Sequence, residues 1–499
     1  MKRTTRIRLT IAATSILPLV AQAAPDLDTL TTTEAAADLC AGKYSSETLI
    51  RAMLERASAR TDLNAFITLD ETGAVSAAQA IDAARTIGNC RPLEGVPVVI
   101  KDNIEAAGMP TTAGTPALKD YIPQADSPVV ARLRDAGAVI LGKTNMHELA
   151  FGISGYNTAF KSGDEPGVRN AYDRKKIAGG SSSGNGAAIG ARIVTAGLGT
   201  DTGGSVRIPC ALNGCASLRP TVGRYPQQGI VPISRSRDTA GPMAASMEDV
   251  ALLDRVIAGG DEIMAADLSK VRVGVVGVKL ANLDADTKAA FDDALGIMKA
   301  NGVTVVEVEM PGLMDLNAAI GFPLALFEAY DDMVHYLDSS DSGKTIHEVA
   351  QHIASPDVKG TYDGLVIPRK LPGPDNTLVD AQPAYEAAMT TSRPALQALY
   401  NDTFSRHTLD ALVFPTVPVV AIDANPDSSS VDNFVMYIQN TDPGSNAGLP
   451  GLQIPVSLGA SSGLPVGLEL DGPADSDRKL IAIGLALEGL FGRLPAPSR

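Results

Sequence analysis

The chain has 499 residues, 45% hydrophobic and 20% charged, with a formal net charge of −15. This is a globular composition with ample core material, and it excludes a disordered chain. The acid excess argues against nucleic acid or an anionic membrane as partner, and 4% aromatics with no Trp argue against an aromatic cage or base-stacking platform.

The first 23 residues read as a secretory signal. Lys2, Arg3, Arg6 and Arg8 form a positive start, Leu9–Val20 is a largely apolar run, and Ala21-Gln22-Ala23 is a small-x-small cleavage site. A run of about 12 residues is too short to span a bilayer, which takes about 20. No adjacent twin arginine is present. The chain is therefore expected to be exported, to the periplasm or beyond, without stable membrane insertion. The signal holds four positive charges and no acid, so the rest of the chain is more acidic still.

Asp26–Asp70 reads as helices. Thr31–Glu34 offers an N-cap, and Ser45-Ser46-Glu47 starts a helix with Leu49, Met53, Leu54 and Ala57 on one face. Ala74–Ile87 is a third, Ala-rich helix. Gly95–Ile100 is a short buried strand that delivers Lys101, Asp102 and Asn103. Ser127–Ala136 reads as a helix and Val139–Gly142 as a strand. Farther on, Ala187–Val194, Ser246–Ala258, Asp284–Asn301 and Asp315–Leu337 read as helices, and Val271–Val276 and Val303–Val308 as strands. Residues 339–380 are rich in Pro, Gly and Asp and read as an irregular insertion or lid. Ala384–His407 is helical, with a break or kink expected at Pro394. Leu412–Pro415, Leu452–Pro455 and Val466–Leu470 read as strands, and Asp477–Phe491 as a closing helix. Strand–helix alternation predicts an α/β fold with a partly parallel sheet. No repeat or linker divides residues 24–499, so one domain is expected after the signal.

None of the four cysteines has C-x-x-C spacing, and no H-E-x-x-H is present. No metal and no cofactor are expected. Cys40 and Cys90, both in the N-terminal helical region, are candidates for a disulfide after export. Cys210 and Cys215 are expected to pack in the core as small apolar residues.

The chemistry concentrates in Ile177–Arg219, where Gly/Ser clusters sit inside apolar sequence. Gly179-Gly-Ser-Ser-Ser-Gly184 admits several readings. One is a flexible linker, disfavoured by the apolar flanks. A second is a nucleotide loop at Gly184-x-Gly186-x-x-x-Gly190, which lacks the strand that should lead directly into it. A third is a nucleophile elbow centred on Ser182, the signature of an α/β-hydrolase-type esterase, which needs a late His in a suitable loop. In Gly199–Pro209, residues Thr202, Gly203, Gly204 and Ser205 offer successive N–H donors, a nest suited to an oxyanion. Asp201 and Arg207 are placed to pair beneath it. Lys101 closes the buried run Val98–Ile100, and burial disfavours its ammonium form, which makes a neutral base available.

These stretches resemble the amidase signature family. The match includes Gly95–Asp102, Lys143–Leu149, Gly179–Ser182, Gly199–Pro209, Asp238–Pro242, Phe414–Thr416 and Asn446–Pro450. The resemblance implies a large mixed, twisted sheet covered by helices on both faces. It also implies a Ser–cisSer–Lys triad with Ser205 as nucleophile, Ser181 as the bridging serine in a cis peptide and Lys101 as base. Ser182, Asp201 and Arg207 would support the site. Thr202–Ser205 would form the oxyanion hole, and Ala150 would line the acyl pocket. Ser183 departs from the glycine usual there. Arg237 before Asp238 resembles the family's arylacetamide hydrolases, which suggests a small primary amide that releases ammonia. Export instead suggests peptide C-terminal amides, lactams, anilides or carbamates. It also argues against amidation of charged tRNA. The enzyme is expected to be a monomer or homodimer.

Overall fold

The apolar runs pair edge to edge in the computed structural model, which describes residues 24–161 and 166–498. Residues 1–23, expected from the sequence to be a secretory signal, lie outside the described residues. In chain order the strands are β1 Phe66–Leu69, β2 Pro97–Lys101, β3 Val139–Thr144, β4 Ala196–Asp201, β5 Ala216–Arg219, β6 Thr239–Ala244, β7 Arg272–Val276, β8 Thr304–Val308, β9 Lys370–Pro372, β10 Leu378–Asp380, β11 Ala411–Pro415, β12 Gly451–Leu458 and β13 Pro465–Asp471. Eleven of them form one sheet in the order β1-β3-β2-β4-β6-β5-β12-β13-β11-β7-β8. β3, β2 and β4 run parallel, as do β11, β7 and β8. The remaining pairs are antiparallel, so the sheet is mixed.

Side chains alternate between the two faces of a strand. In β2 through β6 every residue is buried, so both faces of the sheet centre are covered. A side chain emerging from the end of β2 or β4 therefore starts out shielded from water.

Helix starts follow their caps. Thr31 and Glu34 close a capping box ahead of Thr32–Cys40. Asp284 accepts the Thr287 N–H at 2.7 Å ahead of Ala285–Ala300. Two expectations are corrected. The stretch expected to be helical up to Asp70 contains β1, because Phe66–Leu69 pairs with β3 at the sheet edge. At Pro394 the α-helix is interrupted as expected: a single wide π turn, Ala388–Ser392, precedes the proline and leads into Arg393–His407. Residues 339–380 are not irregular. They carry helices Ile346–His352 and Pro356–Thr361 and the hairpin β9–β10. They share an apolar cluster with the long helix Leu313–Ser339, which contributes Phe327, Met333 and Tyr336.

Cys40 and Cys90 are bonded, with Cα atoms 5.8 Å apart. Cys210 and Cys215, expected as free core residues, are also bonded, at 4.5 Å. The helix Arg207–Asn213 ends at Gly214 in the left-handed conformation, which turns the chain back and brings the two thiols together. No helix among the described residues is long and apolar enough to cross a membrane.

Candidate active site

The parallel strands β2 and β4 end side by side, and the site is built on their ends. β2 ends in Lys101, which is fully buried. Its Nζ lies 2.8 Å from Ser181 Oγ and 2.7 Å from Thr200 Oγ1 on β4. Burial pushes the Lys101 ammonium down to about 7, against the opposing pull of the Asp201 and Asp238 carboxylates. Ser181 follows a cis Gly180–Ser181 peptide. Its carbonyl accepts the His147 N–H at 3.2 Å, and the Ala150 N–H in turn donates to the His147 carbonyl at 2.9 Å. Ala150 has a positive φ of 62° and packs in a small cluster with Met146 and Ile233.

The glycine pattern after Ser182 has a packing explanation. A Cβ on Gly184 would meet the Ala65 carbonyl at 2.2 Å, and one on Gly190 would meet the Asn213 carbonyl at 2.4 Å. These glycines let the helix Ser183–Gly190 lie against its neighbours, which removes the reason to read them as a nucleotide loop. Ser183 fits where glycine is usual because its partner is Gly155, whose Cβ would lie 2.6 Å from the Ser183 hydroxyl. Ser182 is fully buried, and its hydroxyl is occupied by the Thr200 carbonyl at 3.2 Å and the Thr200 N–H at 3.3 Å. That leaves no open nucleophile for an elbow. Ser205 alone of these serines keeps some surface, 9%, and its carbonyl accepts the Ser182 N–H at 3.1 Å. The two serine clusters are thus stitched together.

The loop from Thr202 to Ser205 is held at each peptide. A peptide unit is planar, so fixing its carbonyl fixes the N–H that points the opposite way. The Arg237 guanidinium grips the Thr202 carbonyl at 3.2 and 3.3 Å, which orients the Gly203 N–H. Thr441 Oγ1 donates to the Gly203 carbonyl at 2.6 Å, which orients the Gly204 N–H. That N–H turns inward, to Asp201 Oδ1 at 2.8 Å. The expected nest of four successive donors around one point is therefore reduced. Gly204 serves the scaffold, while the N–H groups of Gly203 and Ser205 donate to no other group among the described residues.

Beneath the loop, Asp201 also accepts from Val206 N–H at 3.1 Å, from Arg207 at 3.1 Å and from Arg219 at 2.9 Å. Arg207 reaches on to Glu469 and Ser445. Burial pushes the Asp201 carboxyl up, but the two guanidiniums outweigh it and hold the group well below the usual carboxylate range. A carboxyl depressed on folding contributes stability at neutral pH that is lost as pH falls through the folded value. Asp201→Asn is expected to destabilise the fold by about 3–5 kcal/mol at pH 7, because two buried guanidiniums lose their shared counter-charge. The wild-type advantage should shrink as the medium is acidified, which denaturant titrations at pH 7 and pH 3 will measure.

Sequence reading singled out Asp201 and Arg207 but missed Thr200, Arg219, Thr441 and Asp442, the last of which pairs with the Arg237 guanidinium. Arg219 carried one usable signal, a charged residue ending a short buried strand. Thr441 and Asp442 carried none, since they lie more than two hundred residues from Gly203 and Arg237, which they hold.

The amidase family model matches residues 48–481. The chain is 44% identical over 473 residues to mandelamide hydrolase of Pseudomonas putida, covering 94% of this chain and 93% of that one. It is 40% identical over 459 residues to indoleacetamide hydrolase of Rhizobium radiobacter, covering 90% and 94%. Among solved structures it resembles the peptide amidase of Stenotrophomonas maltophilia, with a TM-score of 0.78, 31% identity, and coverage of 94% of this chain and 98% of that one. With a buried lysine against Ser181 and matches of this length, the chain belongs to the amidase signature family and is a hydrolase of the C–N bond of linear carboxylic amides.

Proposed function

We propose that Ser205 is the nucleophile, Ser181 the proton bridge and Lys101 the base of a small-amide hydrolase. The observation that carries this reading is the fully buried Lys101, 2.8 Å from Ser181. Neutral Lys101 takes the proton of Ser181, which takes that of Ser205. The Ser205 oxygen adds to the amide carbonyl carbon, and the Gly203 and Ser205 N–H groups receive the oxyanion. The C–N bond breaks as the relay returns the proton to the leaving nitrogen. Water then cleaves the acyl ester by the same relay and releases the acid.

The preferred substrate we propose is a primary amide with an aryl group on its acyl side, released as acid plus ammonia. Two observations support it. The relatives just described act, by name, on mandelamide and indoleacetamide. In addition, Phe322 and Phe434 stack at 5.9 Å between centroids, and Phe322 is 43% exposed. Both aromatics are tied to the Ser205 loop. Gly321, next to Phe322, gives its carbonyl to Arg237 at 3.0 Å. The helix Val431–Ile438 that bears Phe434 ends three residues before Thr441. We further propose that residues 1–23 export the enzyme as a monomer or homodimer, and that residues 339–380 cover the site.

The test is ammonia release from phenylacetamide, indole-3-acetamide, hexanamide and an amidated dipeptide, assayed separately in cytoplasmic and exported fractions. Arylacetamides are expected to exceed hexanamide at least about tenfold in kcat/KM, the scale of one buried ring contact. Activity is expected in the exported fraction. Preference for the dipeptide amide would overturn the aryl reading, and activity confined to the cytoplasm would overturn export.

A further inference from the structure

Asp238 opens the stretch Asp238–Pro242 that the catalytic relay leaves unused. It sits one residue before β6, where Thr239 pairs with Asp201 at the end of β4. Its neighbours in the turn face the long helix Leu313–Ser339. Ser234 and Ser236 hydroxyls donate to Glu328 at 2.6 and 2.7 Å, and the Arg235 N–H to Asp332 at 2.6 Å. Asp238 turns the other way. One oxygen accepts the Thr202 hydroxyl at 2.6 Å, and the other accepts the Ile233 and Ser234 N–H groups at 2.8 Å each. Thr202 is thus gripped twice, by Arg237 on its carbonyl and Asp238 on its side chain, at the first residue of the Ser205 loop.

The charge of Asp238 has a second consequence. Two carboxylates act on Lys101, those of Asp201 and Asp238. Asp201 is offset by Arg207 and Arg219. Asp238 has no Lys, Arg or His at ion-pair distance among the described residues. The Asp332 carboxylate also acts on it, and desolvation of its own carboxyl lifts it to about 6.

We propose that Asp238 is a positioning residue for amide hydrolysis, which fixes Thr202 ahead of the nucleophile loop and presents Lys101 with a carboxylate that no cation offsets. The proposal rests on the reading of Lys101 as base. A lysine with too little affinity for protons is a weak base, so an uncompensated anion nearby keeps it effective at neutral pH.

Asp238→Asn separates charge from geometry. The Asn carbonyl can still accept from Ile233 and Ser234, and its amide can donate to the Thr202 hydroxyl, which accepts as well as donates. The pH profile of kcat/KM is measured with phenylacetamide, alongside melting temperatures. In D238N the acid limb is expected to move down by about half to one pH unit, the lower end of the effect of one nearby charge. The plateau kcat should fall about 3- to 10-fold, with KM within about twofold. Thr202→Val keeps the charge and loses the tether, so its limb should stay at the wild-type position while kcat falls. An unmoved limb in a folded D238N, or a shifted limb in T202V, overturns the proposal. Should D238N not fold, the T202V limb still decides. Full activity in Lys101→Met would instead mean that the base reading had failed.

Discussion

Ser205→Ala is expected to abolish turnover, with kcat down about 10⁴- to 10⁶-fold, the scale seen when a serine hydrolase loses its nucleophile. The fold should survive. Ser205 Oγ makes no hydrogen bond to another residue among the described residues, and only its backbone carbonyl is engaged, by Ser182. Melting should therefore change by no more than a surface substitution would cause, within about 0.5 kcal/mol. A fluorophosphonate should modify the wild type on the Ser205 peptide and leave the variant unmodified. An adduct on Ser182 would sink the assignment, since that hydroxyl is fully buried and held by both polar groups of the Thr200 backbone.

Lys101→Met should lower kcat by about 10²- to 10⁴-fold, the range for loss of a positioned general base. Its pH signature is more telling. The base must be neutral, and burial holds Lys101 at about 7. In the wild type, kcat/KM should therefore be flat above that point. Below it the rate should fall about tenfold per pH unit, as the ammonium form takes over. A rate flat from about pH 5 to about pH 9 would remove Lys101 from the relay. Combining Lys101→Met with Ser205→Ala should cost little beyond Ser205→Ala alone, because the residues act as one unit.

The two largest effects thus fall on residues that the sequence already marked, and the reason is local. Lys101 ends an uninterrupted buried run, and a parallel strand covered on both faces is written as such a run. The serines sit among glycines that few other arrangements require. Helices announced themselves in the same way, through Thr31–Glu34 and Asp284 at their caps. The strand β1 did not, because Phe66–Leu69 is half-exposed and becomes a strand only through β3. The short helices and hairpin of residues 339–380 were hidden by their Pro, Gly and Asp content, which marks turns whether or not those turns are packed.

By itself, then, the sequence determined the family, marked β2 and β3 on one side of the sheet and β7, β8 and β11 to β13 on the other, and singled out Lys101, Ser181 and Ser205 as the candidate triad, because each rests on short-range pattern; the central strands β4, β5 and β6 it did not mark. Tertiary structure decided which N–H groups of the Ser205 loop stay free. That depends on Arg237, Thr441 and Asp201 gripping successive peptides from three separate elements. It also decided which carboxylate near Lys101 is left without a cation, and that Cys210 and Cys215 are joined. Charge balance and contact across hundreds of residues are properties of the folded chain, and no local spacing encodes them; Cys210 and Cys215 are close in sequence, but only the turn at Gly214 brings their thiols together.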